Sequence, residues 1–161
     1  MSRSDRRHHL SPLILIAPLA VVTAVLLWDG GPPASALPGP TSLDRERAQF
    51  TRCGGARRQN CVVDGDTFRY RGEKIRIADI NTPEVREPGC AREAALGKRA
   101  ARRLTELLNA GAFSLEPVDR DRDRYGRLLR EVTRGGESLG ATLEAEGLAE
   151  PWRGRRGDWC G

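Results

Sequence analysis

The chain has 161 residues, a formal net charge of +5 and a sequence pI of about 9.5. This length corresponds to one domain, and 30% charged with 39% hydrophobic residues excludes a multi-span membrane protein. Aromatic residues are only 5% of the chain, which argues against base stacking as the main means of binding. The only histidines, His8 and His9, lie at the N-terminus, so the body of the chain offers none for a catalytic triad or a zinc site.

The first 36 residues have the pattern of a secretory signal or of an N-terminal membrane anchor. Three arginines precede an uncharged, mostly apolar run over residues 10–28. The small residues Ala34-Ser35-Ala36 follow and suit cleavage by signal peptidase. Because the apolar run is just long enough to span a bilayer, cleavage after Ala36 and retention as an anchor both stay open. In either case we expect the rest of the chain to lie outside the cytoplasm.

The four cysteines all follow this segment and predict two disulfides. No pair has the Cys-x-x-Cys spacing that is typical of a zinc site. Four cysteines permit three connectivities. We favour Cys53–Cys61, which brackets a short polar turn, together with Cys90–Cys160, which would tie the C-terminal tail to the middle of the domain.

A Gly/Pro-rich linker over residues 37–50 is predicted to lead into one folded domain over residues 51–161. The predicted strands cover residues 61–63, 67–70, 74–80, 113–118 and 128–133, and the predicted helices cover 91–109 and 138–146. This β-β-β-α-β-β-α order predicts a mainly β domain with appended helices (α+β). The expected architecture is an all-antiparallel, five-stranded OB-fold barrel.

Oxygen-bearing side chains lie on two loops that follow predicted strands. Asp64 and Asp66 flank a glycine at the tip of a hairpin, which in isolation would be an ordinary Asp-Gly turn. Asn81, Thr82 and Glu84 follow the third strand, in what would otherwise be a solvated loop. Asp66, Asn81 and the Thr82 carbonyl are hard ligands that suit Ca²⁺. Glu84 is placed to activate water as a general base.

Two arginines, Arg76 and Arg127, add positive charge to the motifs that carry these acidic residues. Arg76 lies in an otherwise apolar strand, which is costly unless it is paired or faces a polar cleft. Arg127 ends a run of alternating charge that alone would indicate a solvated loop. Together the two guanidinium groups would clamp a phosphate and offset the charge that grows in its transition state. With a metal ion to polarise the phosphoryl oxygen, these residues predict a phosphodiester hydrolase that needs no histidine.

Four motifs resemble the thermonuclease, or staphylococcal-nuclease-like, family. They are Val63-Asp64-Gly65-Asp66-Thr67, Ile75-Arg76-Ile77, Asn81-Thr82-Pro83-Glu84 and Asp123-Arg124-Tyr125-Gly126-Arg127. The similarity runs from Cys61 to Trp152, with the motifs in the order and spacing of the family. It implies an OB-fold, Ca²⁺-dependent nuclease that cuts DNA and RNA and leaves 3′-phosphate ends.

The resemblance also implies roles for individual residues, in catalysis, in holding the ion and in binding the nucleotide. The catalytic residues would be Arg76, Glu84 and Arg127; the Ca²⁺ ligands would be Asp66, Asn81 and Thr82, with Asp64 behind them; and the residues beside the nucleotide would be Tyr125 and Arg124. Each of these assignments is carried over from the matching motif position.

The chain departs from the family pattern in two places. Asn81 stands where the family usually has a second calcium aspartate, so one negative charge is lost and weaker binding or another divalent ion is compatible with the site. Residues 153–161, with three arginines and Cys160, stand where the best-known members have a third helix. We expect a disulfide-pinned substitute there, and nucleotide contacts from that end of the fold do not carry over.

Two functions from other classes are compatible with the same domain. Domains of this type can lose catalysis and serve as nucleic-acid-binding modules, and OB-folds also bind oligosaccharides. The coexistence of Arg76, Glu84 and Arg127 favours an active nuclease, because a binding module has no need of all three. The sequence therefore predicts an exported, monomeric, Ca²⁺-dependent nuclease that acts on DNA and on RNA.

Overall fold

The computed structural model describes residues 44–54 and 59–161. The predicted signal or anchor segment over residues 1–36, and most of the predicted linker, lie outside these residues. Within the described part of the chain, no helix is both long enough and apolar enough to cross a membrane.

The described residues form nine strands and two helices. The strands are β1 (Thr51–Arg52), β2 (Cys61–Val62), β3 (Thr67–Tyr70), β4 (Glu73–Ile77), β5 (Ile80–Asn81), β6 (Ser114–Arg122), β7 (Leu128–Arg134), β8 (Glu137–Ser138) and β9 (Glu150–Pro151), and the helices are α1 (Ala91–Asn109) and α2 (Leu139–Ala145). The five predicted strands correspond to β2, β3, β4, β6 and β7. The additional strands are pairings of two residues each, too short to produce an alternating pattern.

Most strands belong to one mixed sheet with the order β1-β2-β3-β4-β7-β6 and β8 added to β7, while β5 and β9 form a separate antiparallel pair. The β1–β2 and β4–β7 pairs are parallel, so the all-antiparallel prediction is wrong. The physical reason is that alternation of apolar residues marks a strand but does not set its direction relative to a partner. Among the described strands the sheet is not closed, and the five-stranded OB barrel stays a prediction.

The hydrophobic core combines side chains of the sheet with one face of α1. The apolar residues that recur along α1 with helical spacing are buried there, namely Ala100, Leu104, Leu107 and Leu108, whereas Leu96 is only partly covered. Val62, Phe68, Ile75 and Ile77 face it from the sheet and are almost completely buried. Burial of each such side chain contributes about 1.5–3 kcal/mol. The core therefore holds α1 firmly against the strands that carry the acidic and basic motifs.

Residues 44–50, which the sequence analysis assigned to the linker, pack on this core. Phe50 is only 3% exposed, and its ring contacts those of Phe68 and Phe113. The Asn109 side chain accepts from Phe50 N at 2.8 Å and donates to Phe50 O at 2.9 Å. The folded unit thus includes residues before Thr51, which Phe50 and the backbone hydrogen bonds between Glu46 and Phe113 attach to the core.

The structure contains both of the disulfides favoured from the sequence, Cys53–Cys61 and Cys90–Cys160, and no free cysteine. The sequence separations are 8 and 70 residues. On loop-closure entropy alone, the shorter bridge contributes about 2–3 kcal/mol and the longer about 4 kcal/mol. The longer bridge has a positional effect as well, because Cys90 is the N-cap residue of α1.

Candidate active site

The acidic turn between β2 and β3 packs directly against α1. The amides of Val63 and Asp64 both donate to the Thr67 carbonyl, which closes the turn. A Cβ atom on Gly65 would lie 2.6 Å from Ala100 Cβ and 2.9 Å from the Thr82 side chain. Glycine is therefore required here by close approach, beyond the ordinary needs of a hairpin turn. This approach brings the turn against the loop that carries Thr82.

Asp66 joins three parts of the site. Its Oδ1 accepts from Thr67 Oγ1 at 2.9 Å, and its Oδ2 accepts from Thr82 N at 3.2 Å. The same Oδ2 forms an ion pair with Arg76 Nη1 at 3.1 Å, and both side chains are about nine-tenths buried. Arg76 also donates to the Ile77 carbonyl, so this arginine in an apolar strand has two partners through Nη1. Removing either member of such a buried pair typically costs about 3–5 kcal/mol.

Arg127 reaches the same place from the connection between β6 and β7. Its Nε donates to Asp123 Oδ2 at 2.6 Å, and its Nη1 donates to Thr67 Oγ1 at 3.4 Å. Burial raises the pKa of Asp123, but hydrogen bonds from Arg127 and from the Tyr125 amide outweigh it and hold that pKa below its usual range. Thr67 is the register partner of Arg76 in the β3–β4 pair. Arg127 thus contacts the Thr67 hydroxyl directly, and Arg76 is linked to the same hydroxyl through Asp66.

Asp64 is a further buried acidic residue beside this cluster. Within the described residues its Oδ1 is buried and has no hydrogen-bond partner. Burial, followed by the charge and hydrogen bond of Asp66 and the charge of Glu84, raises the pKa of Asp64 to about 7. A buried carboxylate oxygen without a partner, among oxygen donors only, fits a hard divalent cation. In the described part of the chain no three acidic, histidine or cysteine side chains form a complete ligand set, so carbonyl oxygen or water would have to contribute.

Asn81 is buried, and its side-chain amide is held by a residue far away along the chain. Its Nδ2 donates to Glu150 Oε1 at 2.9 Å, across the β5–β9 pair in which these two residues are register partners. The amide nitrogen is therefore committed to Glu150. The amide oxygen of Asn81 is left to face an ion. It is a neutral ligand, so this residue brings one negative charge fewer than an aspartate would.

Glu84 lies on the loop between β5 and α1, and the helix supports this loop directly. A Cβ atom on Gly97 would lie 2.7 Å from both the Pro83 and the Glu84 carbonyl oxygens. Glu93 accepts from Glu84 N through Oε1 at 3.2 Å and from Gly89 N through Oε2 at 2.6 Å. The Glu84 carboxylate itself is about one-quarter exposed and pairs with Arg156 Nη2 at 2.7 Å.

Sequence reasoning missed four residues that position this site: Gly97, Glu93, Glu150 and Arg156. For two of them a local signal exists. Glu93 stands three residues after the helix N-cap, where an acid commonly reaches back to backbone amides, and Gly97 interrupts a strong helical pattern, which often marks close packing. Glu150 and Arg156 reach the site only through contacts with residues far away along the chain, and no local pattern marks them.

The two predicted substrate-binding residues lie on the exposed rim next to Arg127. Tyr125 is 69% exposed, and its hydroxyl accepts from Arg124 Nη2 at 2.7 Å. The guanidinium groups of Arg124 and Arg127 lie 4.8 Å and 5.6 Å from the centre of the Tyr125 ring. The rim thus presents an aromatic surface flanked by two positive charges.

Residues 74–157, just over half of the chain, match the family described as staphylococcal nuclease homologue. The chain belongs to this family, which confirms the resemblance drawn from the four motifs. It is 41% identical over 93 residues to the endonuclease YncB of Bacillus subtilis (strain 168), covering 55% of this chain and 44% of that protein. It is 42% identical over 93 residues to the SPbeta prophage-derived endonuclease YokF of the same organism, covering 55% of this chain and 31% of that protein. It is also 28% identical over 141 residues to the thermonuclease of Staphylococcus hyicus, covering 85% of this chain and 76% of that protein. The chain thus spans less than half the length of the two Bacillus proteins.

Replacement of Asp64 by asparagine is expected to stabilise the metal-free protein by about 1–3 kcal/mol at pH 8. The reason is that the raised pKa makes the ionised form of Asp64 costly in the fold, whereas an amide carries no charge. The sign follows from linkage: the folded pKa lies above the ordinary 3.8, so wild-type stability rises as the pH falls from about 7 towards 4. The advantage of the variant should shrink over the same range.

Thermal unfolding in chelator and in Ca²⁺ tests this prediction. The exposed Asp119→Asn substitution is a matched control that removes one carboxylate elsewhere. Ca²⁺ should raise the Tm of the wild type more than that of Asp64→Asn. A variant that is less stable than the wild type in chelator at pH 8 would contradict the assigned electrostatics.

Proposed function

We propose that the protein is a nuclease that hydrolyses phosphodiester bonds of DNA and RNA with the help of a bound divalent cation. The observation that carries this proposal is the continuous link from Arg76 through Asp66 and Thr67 to Arg127, near the partly exposed Glu84. Membership of the staphylococcal nuclease homologue family supports it. So do the relatives that are named endonuclease and thermonuclease.

Arg76 and Arg127 are proposed to bind the scissile phosphate. Each guanidinium is oriented by its own carboxylate, Asp66 for Arg76 and Asp123 for Arg127, so that little reorganisation is needed when an anion arrives. Their remaining N–H groups can donate to two phosphate oxygens and stabilise the extra negative charge of the transition state. The carboxylates act as positioning residues in this arrangement.

Glu84 is the proposed general base, because it is the carboxylate on this side of the site that stays partly exposed to water. Its loop is held by Glu93 and by the close approach of α1 at Gly97, so its backbone position is defined before substrate binds. A carboxylate in this position can take a proton from water that attacks phosphorus in line with the leaving oxygen.

Asp66, the Thr82 carbonyl and the Asn81 amide oxygen are the proposed ligands of the cation, with Asp64 supplying further negative charge behind them. When bound, Ca²⁺ would polarise the phosphoryl oxygen and help to orient the attacking water. The unpartnered Asp64 oxygen and the uniformly oxygen donor set support this assignment. Another divalent ion remains compatible, since Asn81 brings one charge fewer than an aspartate.

The remaining parts of the proposal concern location and assembly. Two disulfides suit an oxidising compartment, so we propose an extracytoplasmic protein in which residues 10–28 are either removed with a signal or kept as an anchor.

Tyr125 and Arg124 would contact the nucleotide from the rim, and the protein would act as a monomer. The antiparallel β2-β3-β4 meander supports the OB-type barrel that the resemblance implies.

Digestion of single-stranded DNA and RNA by the full chain, with its disulfides intact, tests the proposal. Parallel reactions contain Ca²⁺, Mg²⁺ or chelator. We expect cleavage in Ca²⁺ and none in chelator. Binding of DNA without cleavage in any metal would instead support a nucleic-acid-binding module.

Replacement of Gly97 by alanine is expected to lower the rate of DNA cleavage by about 10–100-fold, because displacement of a catalytic group by even one ångström can cost that much. The added methyl group must push on the Pro83 and Glu84 carbonyl oxygens. Stability should change by only about 1–2 kcal/mol, since the gain in helix propensity offsets part of the overpacking. Cleavage rate and thermal unfolding are measured together. Gly111→Ala, which meets only an ordinary contact with Arg134, is the control, and equal rates for both variants would contradict the prediction.

A further inference from the structure

Residues 153–160, here called the strap, run between the two ends of the loop that carries Glu84. The strap leaves β9, which pairs with β5 immediately before that loop. Its other end is joined through the Cys90–Cys160 disulfide to the N-cap of α1, where the loop finishes. Arg92 Nη1 adds a hydrogen bond of 2.8 Å to the Gly161 carbonyl. The strap is therefore fixed on both sides of Glu84.

Within the strap, Arg156 contacts the proposed general base. Its Nη2 lies 2.7 Å from Glu84 Oε1. The neighbouring Gly157 lies against the carboxylate of Glu150, which a Cβ atom at this position would meet. Glu150 is the residue that binds Asn81. Arg156 thus lies between a covalent bridge on one side and a contact with the Glu150 side chain on the other.

The Arg156–Glu84 pair is too exposed to serve mainly as structural support. The Arg156 side chain is 70% exposed, and that of Glu84 is 26% exposed. An ion pair of this exposure shifts an equilibrium by at most about five-fold. A phosphate offers the same guanidinium two charge-assisted hydrogen bonds in a fork, so an arriving phosphodiester competes well with Glu84 for it. The pair is therefore exchangeable.

We propose that Arg156 is a substrate-binding residue that pairs with Glu84 in the free protein and transfers to a backbone phosphate when single-stranded nucleic acid binds. The transfer leaves the Glu84 carboxylate free to accept a proton from water. This inference rests on the proposed nuclease function and adds a phosphate contact beyond the Arg76–Arg127 clamp.

Binding of a labelled single-stranded oligodeoxynucleotide in EDTA, followed by fluorescence anisotropy, tests the contact without any cleavage. Arg155→Gln is the matched control, because Arg155 is exposed on the same strap and has no ion pair with the described residues. Arg156→Gln should raise Kd about five-fold more than Arg155→Gln does. It should also lower the slope of log Kd against log salt by about 0.7, the value for one phosphate contact on a single strand.

A double variant, Cys90→Ser with Cys160→Ser, tests the role of the strap itself. Serine keeps an N-cap oxygen on α1, so the helix should remain intact, and circular dichroism with thermal unfolding verifies this. Opening the bridge should reproduce most of the loss of affinity seen with Arg156→Gln. In cleavage assays with Ca²⁺, Arg156→Gln should raise KM about five-fold and leave kcat within about two-fold.

The outcomes separate this proposal from the nuclease proposal. Equal Kd values and salt slopes for Arg156→Gln and Arg155→Gln would overturn the role of Arg156 and leave the nuclease proposal intact. A higher kcat with unchanged Kd would also overturn it, because the pair would then be an inhibitory latch. The expected loss of affinity in a protein that never cleaves would support the Arg156 contact and overturn the nuclease. A protein that neither binds nor cleaves nucleic acid would overturn both.

Discussion

Replacement of Glu84 by glutamine is expected to lower kcat for DNA cleavage by about 10²–10⁴-fold while the fold stays intact. Glutamine has nearly the same shape as glutamate, and the backbone N–H of residue 84 still donates to the Glu93 side chain, so the loop should not move. The neutral amide, however, cannot accept a proton from the attacking water. Because the side chain is partly exposed and its pair with Arg156 is weak, its charge contributes little to the free energy of unfolding. We expect KM to change far less than kcat, because the lost function is acceptance of the proton in the chemical step.

Steady-state cleavage of single-stranded DNA, with thermal unfolding of the same samples, measures both effects. Glu87→Gln is the matched control, since Glu87 is an exposed acid on the same loop and has no ion pair with the described residues. Its kcat should equal that of the wild type. If Glu84→Gln retained the wild-type rate, Glu84 would not be the base, and another group would have to accept the proton.

Replacement of Arg127 by lysine is expected to lower kcat/KM for DNA by about 10²–10³-fold, the usual cost of losing one oriented donor to a transition state. In the structure the guanidinium group spans two partners, Asp123 through Nε and Thr67 through Nη1. A single ammonium group can keep the ion pair with Asp123 but cannot also reach the Thr67 hydroxyl. Most of the loss should appear in kcat, because the lost contact strengthens as charge builds on the phosphate.

Arg103→Lys, rather than Arg122→Lys, is the control for the Arg127 prediction, because Arg122 donates to the Gly126 carbonyl in the loop that carries Arg127. Arg103 lies on α1 and pairs with Glu106 and Glu146. It should cleave at the wild-type rate. Both variants should unfold within about 1 kcal/mol of the wild type, because charge and pairing are kept. Equal activity of Arg127→Lys and wild type would show that a positive charge suffices there, without the two-pronged geometry.

The local features of the fold could be predicted from the sequence because neighbouring residues produce them. The spacing of apolar residues predicted α1 over residues 91–109, as the structure has it, and the strand over residues 67–70 was predicted equally well. The Asp64–Thr67 turn and the Asp123–Arg127 motif are also local, and the structure shows internal hydrogen bonds in each. The placement of acids and arginines on strand ends and loops followed from the same patterns.

The mutual arrangement of these pieces was decided by the tertiary structure. The parallel β4–β7 pair brings the Arg127 motif beside β3 and β4, and no hydrophobic pattern specifies that direction. The pairing of Asn81 with Glu150 joins residues 69 apart along the chain, through strands of only two residues. Phe50 reached the core in the same way, as a single side chain without a surrounding pattern.

The sequence by itself thus determined which chemical groups this protein has, which helix and strands carry them, and the family to which the chain belongs. Only the tertiary structure linked Arg76 to Arg127 through Asp66 and Thr67 and laid Arg156 against Glu84. The physical reason is range. Helix and turn preferences come from contacts within a few residues, whereas the site depends on chain crossings, on the closeness that Gly65 and Gly97 permit, and on a disulfide that joins residues 70 apart.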